Sequence, residues 1–193
     1  MGGKKLNVKV EIVNGWEWAK RAALKTMGLK PKNPQPTNSW KAKMLLAEHS
    51  PIRNVQYYIS FTNIRQWVTV HLVRHWLGFI PFVHSQREDR RVLDCSRDEL
   101  SQGSLNDMDV MANAQSLINV SQKRLCNLAS KETREAWKAV QEAVRDVDPV
   151  MADKMVPTCV YRGFCPELEC CGFCYTKKYE EDLKKYRNTD YGD

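Results

Sequence analysis

Apolar and polar residues alternate from Leu6 to Ile12: Leu6, Val8, Val10 and Ile12 fall on one side, Asn7, Lys9 and Glu11 on the other. A period of two is the mark of a strand with one buried face, and Asn14-Gly15 ends it. Residues 16–27 are helix formers and predict a helix stopped at Gly28. Three prolines within residues 30–38 predict a surface loop. A second helix is expected over 39–48 with Ser39 as its cap, ended by His49-Ser50-Pro51. Aromatic and β-branched residues over 55–61 predict another strand. From Asn63 to His75 the spacing turns helical, with Ile64, Trp67, Val68 and Leu72 on one stripe, and Gly78 and Pro81 break it. Residues 76–107 read as irregular. Helical spacing returns over 108–129 (Val110, Leu117, Val120, Leu125), and Ser130 is placed to cap a helix bearing Trp137, Val140, Val144 and Val147. The pattern predicts an α+β domain followed by a cysteine-rich C-terminal tail.

Composition leaves that picture intact. The chain has 193 residues, 42% hydrophobic and 27% charged, the balance of an ordinary globular domain. The longest apolar run, Trp76 to Val83, falls far short of the roughly 20 residues of a membrane span. The first residues carry no apolar signal-peptide core, so a soluble, cytoplasmic chain is expected. A net charge of +7 favours polyanionic partners: nucleotides, phosphorylated cofactors or nucleic acid. The basic residues form no block of five or six, which favours a pocket lined by dispersed arginines over a nucleic-acid patch.

The candidate chemistry lies in three clusters. His71, Arg74 and His75 share one face if their segment is helical, with Trp67 a turn earlier. Gln86, Glu88 and Arg90 share one side if theirs is extended. Asn113, Ser116, Asn119 and Arg124 decorate the helix predicted over 108–129. Arginine clamps phosphate oxygens in pairs, and Asn or Gln reads an imide edge with one donor and one acceptor. The competing reading is a solvated face with ordinary surface ion pairs. No GxGxxG or GxxxxGK[ST] loop occurs, so a bound nucleotide would be held by side chains and helix termini.

The order HLVRH (71–75), SQREDR (85–90) and NAQSLINVSQKRLCN (113–127) resembles the flavin-dependent thymidylate synthases, the ThyX family, over most of residues 6–145. The resemblance implies one domain over 1–150, with a small antiparallel sheet packed by long helices, and a Cys-rich extension over 151–193. It implies an enzyme that methylates dUMP at C5 with methylenetetrahydrofolate, using NADPH to reduce FAD, in a homotetramer whose active sites form where subunits meet. Arg124 matches the family arginine that activates the uracil ring, and is the expected catalytic residue. His71, Arg74, Gln86, Glu88, Arg90 and Arg124 are the implied substrate-binding residues. Thr26, Ser50, Arg74, His75, Trp76, Asn113, Gln115 and Asn119 are the implied flavin-binding residues. The family needs no protein thiol to attack the pyrimidine, so Cys95 and Cys126 read as small packing residues. Trp76, Gln86 and Glu88 stand where the family signature has Arg, Glu and Ser. These departures motivate an alternative, a methyl- or hydroxymethyltransferase acting on another uracil nucleotide.

Seven cysteines, an odd count, make a disulfide framework a poor reading. Five fall between Cys159 and Cys174. Cys159, Cys165, Cys171 and Cys174 are the candidate ligands of a structural zinc. A zinc-stabilised nucleic-acid-binding module is therefore the reading from a different functional class.

Overall fold

The computed structural model describes residues 4–30, 35–90 and 95–193. Among these, four strands form one antiparallel sheet: β1 (Asn7–Asn14), β2 (Gln56–Arg65), β3 (Phe79–Val83) and β4 (Leu105–Asn113), in the order β1-β2-β4-β3. The helices are α1 (Trp16–Thr26), α2 (Asn38–Leu46), α3 (Gln66–Leu72), α4 (Ala114–Arg124), α5 (Lys131–Val147), α6 (Pro149–Lys154), α7 (Thr158–Arg162) and α8 (Lys177–Arg187). The α+β class and the small antiparallel sheet packed by helices are as the sequence predicts. None of the described helices is long and apolar enough to cross a membrane.

Side-chain alternation decides which face of the sheet is covered. Tyr57, Ile59 and Phe61 of β2 and Met108, Val110 and Ala112 of β4 are buried, as are Trp137, Val140 and Val144 of α5 in the same core. On the opposite face Tyr58 donates to Asp109 across the β2–β4 pair (2.9 Å), and Ile80 and Phe82 of β3 stay exposed. A buried carboxylate ties the layers together. Asp148 Oδ2 accepts from Trp16 Nε1 of α1 (2.5 Å) and from the Tyr57 hydroxyl of β2 (2.7 Å), while its Oδ1 accepts from the Met151 N–H and caps α6 (3.2 Å). With three donors, its charge is stabilised without solvent.

Residues beyond α6 build a second, smaller core of Val156, Cys159, Val160, Tyr179 and Tyr186 between α7 and α8. Lys154 is fully buried at the junction and donates to the carbonyls of Tyr186 and Asn188, both at 2.5 Å. The Asp193 carboxylate accepts from the N–H groups of Asn38 (2.5 Å) and Ser39 (3.0 Å) at the start of α2.

Five sequence expectations are corrected. Thr37, not Ser39, caps α2, accepting from the Trp40 N–H at 3.2 Å. The helix expected from Asn63 begins only at Gln66, because Ile64 still belongs to β2. It also ends at Leu72, so Arg74 and His75 lie in the following turn. Residues 76–107, expected to be irregular, contain β3 and the first residues of β4. The helix expected from Met108 is strand as far as Asn113, since Met108, Val110 and Ala112 alternate with polar or half-buried neighbours at period two. The extended run expected over 86–90 also fails, because Glu88–Arg90 close a short 3-10 turn.

Candidate functional site

Two elements meet at the end of the sheet where β3 begins and β4 ends. The turn after α3 carries Arg74, His75 and Trp76 and enters β3 through Gly78. Gly78 has φ +70°, and the Asn113 side chain occupies the space a Cβ would need. The Asn113 N–H donates to the Gly78 carbonyl (2.9 Å), and Asn113 Oδ1 accepts from the Ser116 N–H (2.8 Å), capping α4. One asparagine thus fixes both the turn and the start of the helix that carries Arg124.

Arg124, in the last turn of α4, reaches back to that turn. Its Nε donates to His75 Nε2 at 3.0 Å, and its NH2 group donates to the His71 carbonyl at 2.7 Å. The first bond requires an unprotonated Nε2, which places the His75 proton on Nδ1. Burial, and then the Arg124 charge, push the His75 pKa down to about 4, so the ring is neutral. His71 is lowered by burial and by the charges of Arg124 and Arg74, and its Nδ1 pairs with Thr133 Oγ1 at 3.0 Å. Burial and the Arg74 guanidinium also lower Arg124. The result is two guanidinium groups close together, one held by neutral nitrogen and oxygen acceptors. Such a site favours an anion.

A cleft of about 190 Å³ opens beside this pair, lined by Arg74, His75, Trp76, Leu77, Ser116, Asn119 and Val120. Trp76 is 75% exposed and leaves a flat aromatic face free. Asn119 is exposed and accepts from Gln115 Nε2 at 3.3 Å. Gln115 also donates to Glu48, whose other oxygen accepts from the Tyr161 hydroxyl at 2.5 Å. The Glu48 bond first, and burial second, push Tyr161 up to about 12. Glu48 itself has φ +49°, unusual for a residue with a side chain. Of this group only Gln115 was named from the sequence; Glu48 and Tyr161 gave no signal, because they lie more than 40 positions from it.

The remaining candidates lie elsewhere. Thr26, at the end of α1, donates to the Ala23 carbonyl (2.8 Å), and Ser50 opens a 3-10 turn after α2. Gln86, Glu88 and Arg90 leave β3 at its Val83 end, opposite the end where His75 and Trp76 enter. Five residues of strand separate the two groups by about 17 Å. Glu88 accepts from the Arg97 N–H at 3.0 Å, so its carboxylate braces a loop.

Among the described residues no group of three or more His, Cys, Asp or Glu side chains is placed to hold a metal ion. The zinc expectation for Cys159, Cys165, Cys171 and Cys174 therefore has no support in the geometry. Cys159 is buried in the second core, whereas Cys171 is exposed.

No protein-family model matches the chain, and neither does any curated protein. Solved structures do. One is Thymidylate Synthase X (ThyX) from Helicobacter pylori with FAD and dUMP, which is 13% identical with a TM-score of 0.61. Another, a flavin-dependent thymidylate synthase ThyX from Helicobacter pylori complexed with FAD and dUMP, is 13% identical with a TM-score of 0.62. Each match covers 78% of this chain and 99% of the other. At this identity the likeness is one of fold, and the chain shares the fold of these flavin-dependent thymidylate synthases.

Proposed function

We propose that the chain is a flavin-dependent enzyme that methylates C5 of dUMP, with Arg124 as its catalytic residue. The observation that carries the reading is the Arg124 guanidinium, held by neutral His75 and the His71 carbonyl beside a cleft with an exposed aromatic wall. The residues fit FAD: Trp76 offers a ring face for a flat heterocycle, Arg74 a cation, and Ser116 and Asn119 polar groups at the wall. FAD, when bound, supplies the redox chemistry linking NADPH to the one-carbon unit of methylenetetrahydrofolate.

The chain's own task is to make C5 of the uracil nucleophilic. Negative charge then builds on the ring carbonyls, and a fixed cation in a dry site stabilises it. Arg124 is suited to this because its Nε is already committed to His75, which fixes the plane of the guanidinium. His75, neutral, orients that group without competing for the anion. Arg74 adds a second positive charge. Asn113 keeps the turn and the helix in register and is the flavin-site residue that acts through structure.

Gln86, Glu88 and Arg90 are proposed to complete the nucleotide pocket of a neighbouring copy in a homotetramer. Their position at the far end of β3 supports this, as does the exposed apolar surface of Trp76, Leu77, Ile80 and Phe82 between the two ends. Arg90 is the phosphate clamp. The Glu88 carboxylate is turned to the Arg97 N–H, which holds it in the loop.

The test is the visible spectrum of the purified protein with FAD, followed by NADPH oxidation with and without dUMP. A bound-flavin spectrum and dUMP-stimulated oxidation are expected. Flavin binding with stimulation only by another uracil nucleotide would move the substrate, and no flavin binding would end the reading.

A further inference from the structure

The loop between α7 and α8 turns through two left-handed glycines, Gly163 and Gly172, both at φ +82°. It carries Cys165, Cys170, Cys171 and Cys174, all of them unbridged thiols. Two of the sulfurs face each other, with Cys170 Sγ and Cys174 Sγ 3.3 Å apart. A disulfide needs about 2.05 Å, so the sulfurs must close by little more than 1 Å. Cys170 lies outside regular structure, and Cys174 sits in a three-residue 3-10 turn, Phe173–Tyr175. No strand ladder resists the movement.

The two thiols are not equivalent. Cys170 is exposed, whereas Cys174 is half-buried and packs on the second core. The Gly172 N–H points at Cys170 Sγ at 3.4 Å. A reagent in solution therefore meets Cys170 first, and Cys174 waits behind it.

We infer that Cys170 and Cys174 form a reversible dithiol–disulfide pair whose co-reactant is a small-molecule disulfide. Cys170 sulfur, having given its proton to solvent, attacks one sulfur of the reagent. The reagent's S–S bond breaks, one half leaves as a thiolate, and a mixed disulfide remains on Cys170. Cys174 then loses its proton and attacks Cys170 sulfur, expelling the second half. Two protein thiols are oxidised and one small disulfide is reduced to two thiols, so atoms and electrons balance. Closure would stiffen a loop that also supplies Cys165, Cys171, Phe173 and Cys174 to the wall of a cavity of about 520 Å³. That cavity lies between the loop and α5, α6 and α8, apart from the cleft beside Arg74. The inference does not depend on the proposed methyl transfer.

The reduced full chain is treated with oxidised glutathione and followed by intact mass and peptide mapping. The expected product has lost two hydrogens, carries a Cys170–Cys174 bridge, and returns to the dithiol with dithiothreitol. Cys174→Ser should trap a glutathione adduct on Cys170, and Cys170→Ser should yield neither bridge nor adduct at Cys174. Far-UV circular dichroism unchanged from the parent shows that both variants fold. A bridge through Cys165 or Cys171, or a lasting adduct on Cys170 in the unaltered chain, overturns the pairing. So does a stoichiometric metal ion in the purified protein that is released when these two thiols are blocked.

Discussion

Arg124 and His75 form a bond whose two ends constrain each other. Burial, and then the guanidinium, keeps the imidazole neutral, and the imidazole keeps the guanidinium in one plane. Arg124→Ala should lower dUMP methylation by a factor of about 100 to 1,000, the usual cost of a lost charge-stabilising donor, while the flavin spectrum persists. Product formation and absorbance, read together, check this. Arg124→Lys keeps the charge but loses the planar Nε donor, and should recover only part of the rate. His75 also gives the fold a pH dependence with a definite sign. Its pKa falls from 6.5 free to about 4 folded, so between these values the unfolded chain binds more protons. Stability should therefore fall as pH drops from 6.5 towards 4, by up to roughly 2 kcal/mol after allowing for partial exposure. His75→Gln should flatten the slope in urea titrations taken across that range.

At the scale of elements, the contact between Gly78 and Asn113 governs how the turn after α3 meets α4. Gly78→Ala puts a methyl group where the Asn113 amide sits, at a backbone angle that alanine resists. The expected cost is about 2 kcal/mol or more, with weakened flavin binding, measurable by thermal melting and FAD titration. Element identity was legible wherever one periodicity held for a whole segment, as in β1 and α5, or where helix formers ran unbroken, as in α1. It failed at Ile64–Gln66 and at Asn113–Ala114, where strand runs into helix with no intervening turn residue. There an apolar strand end and an apolar helix face merge into one stretch that a helical template can claim. The site was legible in part. Arg124, His71, Arg74 and His75 were picked out as residues, but the Arg124–His75 bond spans 49 positions and follows from the sheet register. Gln115 was picked out too, but its pairing with Glu48 and the Glu48–Tyr161 bond left no trace, because pairing of ordinary polar residues has no fixed spacing.

Over the whole molecule, Lys154 joins the main body to the C-terminal helix. It is buried and satisfied by two carbonyls, and burial pushes its pKa down from 10.5 to about 8. Above that value the folded chain sheds a proton that the unfolded chain still holds, so stability should rise as pH passes 8. The rise should fade beyond about 9, where an unfolded Cys159 would ionise while burial holds the folded thiol up to about 11. Chemical denaturation between pH 7 and 10 tests both arms, and Lys154→Met should remove the first. The exposed apolar residues around β3 belong to this scale too, since a surface of this kind is commonly covered by another chain.

Strand β3 keeps Arg90 and Arg124 at opposite ends of one chain, and this has a genetic corollary. If each pocket draws its arginines from two copies, Arg90→Ala and Arg124→Ala chains are inactive for different reasons. Unfolded together and refolded as mixed oligomers, they should regenerate some pockets with both arginines intact. Activity should then appear in the mixture of two silent proteins, while a pocket built within a single chain would leave the mixture as silent as its parts.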